Sequence, residues 1–131
     1  MFLDTSGLLC LLDPDERFHQ RAMELYASAT FRVTHNYVIA ELVALANARG
    51  QPMGAALMFV ERVISRPDQV KLVWSGDNLT ARALILLKSR MGAGYSLCDA
   101  VSFVLMRELN VTDALSLDVH FEREGFQRLL T

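Results

Sequence analysis

The chain has 131 residues, 52% of them hydrophobic and 21% charged, which is enough apolar side chain for one buried core and too little length for two ordinary domains; residues 1–131 are read as a single globular domain, and disorder is excluded. The formal net charge of −2 excludes a surface that holds nucleic acid by bulk positive charge. Cys10 and Cys98 stand in apolar surroundings without CxxC or Cys/His spacing, so they read as buried thiols in a reducing compartment, with neither a zinc site nor a disulfide framework.

Met1-Phe2-Leu3 predicts a very short strand that ends where polar and flexible residues gather, at Asp4-Thr5-Ser6-Gly7. Leu8, Leu9, Leu11 and Leu12 predict one or two helical turns stopped by Asp13-Pro14. A second helix is expected from near Asp15, with Phe18, Ala22, Leu25 and Tyr26 on one face, and residues 31–34 predict the second strand. Asn36 to Arg49 predicts a strong helix, with Asn36 as N-cap and Gly50 as stop. Pro52 opens the next helix, which runs to Pro67, and Val70 to Trp74 alternates as a third strand. Asp77 or Asn78 caps a helix to about Met91, broken by Gly92-Ala93-Gly94, and Ser96 to Leu109 is a further helix. Residues 114–117 predict the fourth strand, 119–124 a helical turn, and 126–130 a final edge strand.

Strands separated by helices need crossover connections, hence a mainly parallel sheet of four to five strands covered on both faces. No basic run precedes the apolar opening, and no stretch approaches about 18 uninterrupted apolar residues. Neither a signal peptide nor a membrane span is expected, and the expected location is cytoplasmic.

In an open parallel sheet ligands gather beyond the carboxyl ends of the strands. Asp4 follows the first strand and Asp118 the fourth, so both project from one rim if those strands are parallel neighbours; either alone is equally a turn or cap residue. Glu41 lies within Tyr37-Val38-Ile39-Ala40-Glu41-Leu42-Val43-Ala44-Leu45, on a stripe read as facing the core, where a carboxylate needs a partner or a metal. Arg49, two turns on, is the alternative partner. Ser96-Leu97-Cys98-Asp99 fits the capping pattern, and in isolation Asp99 is read as a cap. Together the four acids offer hard oxygen donors suited to Mg²⁺ or Mn²⁺. Crowded at one rim, they would repel each other unless a cation neutralised them. No spacing rule derives that convergence.

Four segments in order resemble the PIN-domain family over nearly the whole chain: Met1-Phe2-Leu3-Asp4-Thr5-Ser6, Asn36-Tyr37-Val38-Ile39-Ala40-Glu41, Tyr95-Ser96-Leu97-Cys98-Asp99-Ala100, and Ala114-Leu115-Ser116-Leu117-Asp118-Val119-His120-Phe121 followed by Gly125-Phe126. Ser116 stands where the family usually has threonine. The resemblance implies a three-layer α/β/α domain and a metal-dependent nuclease. Asp4, Asp99 and Asp118 would be ligands, Glu41 a ligand or an orienter of water, and Ser6 and Ser116 would hydrogen-bond the carboxylates. The short single-domain length favours the VapC-type toxin, which implies an RNA substrate, a cognate antitoxin and a homodimer; the helices at 8–26 and 36–66 also carry more apolar residues than one small sheet covers.

Arg82, Lys88 and Arg90 form a basic cluster for RNA phosphates, or equally a solvated helix face. His19, His35 and His120 have no mutual metal spacing and are read as structural or exposed. A P-loop is absent, and Asp4-Thr5-Ser6 lacks the second aspartate of other phosphoryl-transfer folds. The alternatives that remain are a non-catalytic PIN-like module that binds RNA or protein, and an RNA-processing nuclease outside a toxin–antitoxin pair.

Overall fold

The computed structural model describes residues 1–131, and its five short strands are all parallel. They are β1 (Phe2–Leu3), β2 (Val33–His35), β3 (Lys71–Val73), β4 (Asp113–Leu115) and β5 (Gln127–Arg128), in the order β3-β2-β1-β4-β5. Between them run α1 (Thr5–Leu12), α2 (His19–Ser28), α3 (Asn36–Ala48), α4 (Met53–Ser65), α5 (Asp77–Ser89), α6 (Leu97–Glu108) and α7 (His120–Arg123).

From β1 the chain moves outward through β2 to β3, then returns to β4 on the other side of β1. Right-handed crossovers put α1 to α4 on one face and α5 to α7 on the other. The helix packing follows suit: α1 lies on α2 and α3, α3 on α4, and α5 on α6. This is the expected three-layer α/β/α domain. Phe2, Leu3, Val33, Ala114 and Leu115 are wholly buried, as a parallel sheet covered on both faces requires. No helix is long and apolar enough to cross a membrane.

The strand order reverses between β1 and β4, so the crevice of this sheet opens at their carboxyl ends. Gly7 lets α1 start hard against that point, since a Cβ there would stand 2.0 Å from the carbonyl oxygen of Leu115. Any side chain would push the first turn of α1, and Ser6 with it, away from β4.

Element ends differ from expectation for local reasons. Asn36 is the first residue of α3, and His35 caps the helix by accepting from the Val38 N–H at 3.4 Å. The Asn36 Oδ1 instead accepts the Ser75 N–H at 2.6 Å, tying α3 to the loop after β3. The second helix begins at His19 and not near Asp15, because Asp13 Oδ1 accepts the Asp15 N–H at 3.0 Å and holds a turn. The strand expected at 114–117 stops at Leu115 because the next amides turn toward serine hydroxyls and leave the ladder. The helix after β3 is capped at Gly76 and closes at Ser89, before Met91.

Candidate active site

Asp4 leaves the carboxyl end of β1 and is 7% exposed. Its Oδ2 accepts from the Ser6 hydroxyl at 2.8 Å and the Ser116 hydroxyl at 2.7 Å. These two hydroxyls also lie 3.2 Å apart. Each serine is fixed in turn by a backbone amide: Leu117 N–H donates to Ser6 at 2.9 Å and Asp118 N–H to Ser116 at 2.9 Å. Burial raises the Asp4 carboxyl to about 6 even though both serines work the other way, and the nearby charge of Asp99 adds to the rise. The adjacent Thr5 hydroxyl is buried and finds no hydrogen-bond partner in the chain.

Asp118 follows β4 directly beyond this network, and its Oδ1 accepts the His120 N–H at 2.8 Å, the turn that starts α7. Asp99 arrives from the opposite helical layer at the head of α6. Ser96 and Asp99 form a complete capping box, with Ser96 N–H donating to Asp99 Oδ2 at 2.8 Å and Asp99 N–H to Ser96 Oγ at 3.0 Å. The cap leaves Asp99 available to a second partner. His120 Nδ1 lies 3.3 Å from Asp99 Oδ2 and 3.3 Å from Asp118 Oδ2. Ligating atoms of Asp99, Asp118 and His120 all fall within 4.8 Å of one another. With side chains 15%, 36% and 21% exposed respectively, this trio is open to solvent where Asp4 is dry.

Glu41 corrects the expectation of a core-facing carboxylate: it is exposed, with Leu42 beside it taking the buried position. It still lies near the site, because its carboxylate acts on the half-buried Cys98 thiol alongside Asp4 and Asp99. Burial pushes that thiol far up, and the charges of Glu41, Asp4 and Asp99 push it further. Cys98 is therefore a neutral wall among the acids. Below it His35 is wholly buried, and desolvation lowers it to about 4. Its Nδ1 accepts from Val38, so Nε2 carries the proton toward Ser102 Oγ at 2.8 Å, and Ser102 donates to the Cys98 carbonyl at 2.8 Å. His35 is structural, as expected.

His120 is the residue that sequence reasoning missed. The three histidines have no spacing that would share a metal, and the informative signal is the place of His120 two residues after a strand-end aspartate. Of the basic cluster, Arg82 pairs with Glu108 at 3.1 Å and Arg90 with Glu124 at 2.9 Å, and both guanidinium groups stay partly exposed. Lys88 remains exposed.

The donor set suits a hard divalent ion. It consists of carboxylate oxygens with one imidazole, and the buried Thr5 hydroxyl still lacks a partner that a ligand or its water can provide. Among known proteins, the family model for the PIN domain matches residues 1–126. VapC20 of Mycobacterium tuberculosis, a toxin whose crystal structure is described as sarcin-ricin loop cleaving, superposes with a TM-score of 0.85 at 28% sequence identity, covering 95% of each chain. No curated protein matches the sequence.

Proposed function

The chain belongs to the PIN-domain family, and on that premise we propose that it is a divalent-metal-dependent endoribonuclease, the toxin of a toxin–antitoxin pair. The observation that carries this reading is the clustering of Asp99, Asp118 and His120 near the strand-order reversal, with Asp4 at the end of β1 near enough for the Asp99 charge to act on it. The likeness to VapC20, itself described as a sarcin-ricin loop cleaving toxin, supports RNA as the substrate.

Asp4, Asp99 and Asp118 would hold Mg²⁺ or Mn²⁺, with Glu41 or His120 completing the set; the bound ion supplies Lewis acidity toward water and the phosphodiester. The chain's own contribution is positioning. Ser6 and Ser116 hold the Asp4 carboxylate through one oxygen, and His120 keeps two like-charged side chains together. Glu41, exposed beside the site, can orient the attacking water and take its proton. An acidic centre repels phosphate until the charge is neutralised, which explains how a chain of net charge −2 can act on RNA without a large basic face.

A groove between α1, α2 and α4, lined by Leu8, Leu11, Met23, Tyr26, Phe59 and Val63, supports docking of an amphipathic helix from a cognate antitoxin. A homodimer belongs to the same proposal and rests on the apolar side chains that α4 leaves exposed, Leu57, Met58 and Ile64. Action in the cytoplasm follows from the substrate.

The test is cleavage of a structured RNA by the purified chain, with chelator and with Mg²⁺ or Mn²⁺. Metal-dependent cuts that vanish in Asp4→Asn are expected. Equal cutting by Asp4→Asn, in a preparation free of other nucleases, would contradict the proposal, and binding without cutting would point to a non-catalytic module.

A further inference from the structure

Tyr95 lies in the loop between α5 and α6, outside the acidic cluster, yet it touches that cluster and its supports at once. Its ring packs edge-on against His120, with centroids 4.9 Å apart at 63°, and against Phe103, at 5.2 Å and 71°. Its hydroxyl donates to Glu124 Oε1 at 3.0 Å. Glu124 caps α7 one helical turn after His120, joined to it by the Glu124 N–H to His120 carbonyl bond at 3.1 Å. A single side chain therefore spans that turn from below, ring on one residue and hydroxyl on the other.

The far end of this span is rigid. The Glu124 side chain is 3% exposed and takes Arg90 at 2.9 Å on Oε1 and Arg107 at 2.7 Å on Oε2, while Arg107 also donates to the Glu124 carbonyl at 3.0 Å. Burial opposes ionisation of this carboxyl, but the bonds from Arg107, Arg90 and Tyr95 outweigh it and hold it below the usual range. A buried carboxylate fixed by two guanidinium groups from two other elements is a stiff anchor. At the near end, His120 is held between Asp99 and Asp118 by two contacts of 3.3 Å that share one nitrogen. Two such long contacts do not define a ring's orientation by themselves. The aromatic wall behind it does.

We propose that Tyr95, anchored through Glu124 by Arg90 and Arg107, is a positioning residue that wedges His120 between Asp99 and Asp118 and so sets the spacing of those two carboxylates. Asp99 and Asp118 come from different layers, and no direct bond joins them. Their separation is defined through His120, and the His120 ring is defined by Tyr95. The consequence for cation affinity rests on the proposed metal-binding reading; the consequence for the His120 rotamer does not.

The experiment compares the wild-type chain with Tyr95→Leu and Tyr95→Phe. In metal-free protein the His120 χ1 rotamer is read from three-bond NMR couplings; in the same samples Mn²⁺ affinity is read by calorimetry. A single rotamer is expected in wild type and in Tyr95→Phe, which keeps the ring, and averaging is expected in Tyr95→Leu. Mn²⁺ affinity should fall on the order of tenfold or more in Tyr95→Leu and be largely restored in Tyr95→Phe, which a merely structural role would not produce. A folded Tyr95→Leu chain with one His120 rotamer and wild-type affinity overturns the proposal. Should Tyr95→Leu not fold, Tyr95→Met carries the test: it fills much of the same space without presenting an aromatic face to His120. Rotamer averaging there supports the wedge, and an unchanged rotamer overturns it. If the wild-type chain binds no Mn²⁺, the metal reading fails and the rotamer comparison still decides the role of Tyr95.

Discussion

The two halves of the acidic rim are built by different means. Asp4 is set by the sheet: β1 and β4 are neighbours, Gly7 lets α1 close over Leu115, and two serines reach one carboxylate oxygen in a dry pocket. Asp99 and Asp118 come from a helix start and a strand-end turn, stay partly solvated, and meet only through His120. The first half is a packing problem, in which desolvation dominates the chemistry. The second is a side-chain positioning problem, in which charge repulsion is answered locally. Each half should therefore fail in its own way.

The largest effect on stability is expected from Gly7→Ala. A methyl group 2.0 Å from the Leu115 carbonyl forces α1 off β4 and should destabilise the fold by upwards of about 3 kcal/mol, read by chemical denaturation. If the variant is as stable as wild type, the dry half is not held by this contact.

Next in size is a pH effect confined to Asp4. Its carboxyl is raised to about 6 in the folded chain, whereas the unfolded chain titrates near 4, roughly the ordinary aspartate value. A raised acid favours folding below the unfolded pKa and loses that contribution as pH rises through the folded one. The metal-free protein should thus lose roughly 3 kcal/mol between about pH 4 and 7 from this group. Asp4→Asn should remove that slope and be the more stable protein at pH 7.5, whereas Asp118→Asn should leave the slope in place. A slope that survives Asp4→Asn would assign it elsewhere.

A smaller pair of variants separates the halves at their supports. Ser116→Ala removes a donor to Asp4 and the acceptor of the Asp118 N–H, and should raise the Asp4 titration above its wild-type position. Ser96→Ala breaks the capping box of α6, should cost about 1 kcal/mol, and should leave Asp4 unmoved. An NMR titration of the carboxyl carbons distinguishes these outcomes. The smallest effect is chemical: the Cys98 thiol, pushed up by burial and by the acids around it, should alkylate far more slowly than a free thiol at pH 8. Rapid labelling of the folded chain would contradict that environment.

The same contrast explains what was legible in the sequence. The element order and the parallel sheet followed from hydrophobic pattern and crossover logic, and the placement of Asp4 and Asp118 on one rim followed from the strands they end. Ser6 and Ser116 were legible as partners through the family resemblance. The convergence of Asp99 was not, because nothing in spacing brings the head of α6 to the end of β4; only the return crossover from β3 does. Glu41 misled because its neighbours are apolar on both sides, and a helix turns by about 100° per residue, so Leu42 takes the buried position and Glu41 the margin. His120 was hidden because its partners are the carboxylates of Asp99 and Asp118 and not other histidines. The carboxylate partners of Arg82 and Arg90, Glu108 and Glu124, were not legible either, because they lie 26 and 34 residues away.

The central claim is that the dry and the wet half act as one catalytic centre. Its most direct test is the single-turnover RNA cleavage rate, at saturating Mg²⁺ or Mn²⁺, of Asp4→Asn, Asp118→Asn and the double variant. Residues that work as one unit are not additive when removed, so each single variant should lose orders of magnitude in rate and the double variant should be no worse than the poorer single. Losses that multiply in the double variant, or either single variant cutting at the wild-type rate, would contradict a shared centre.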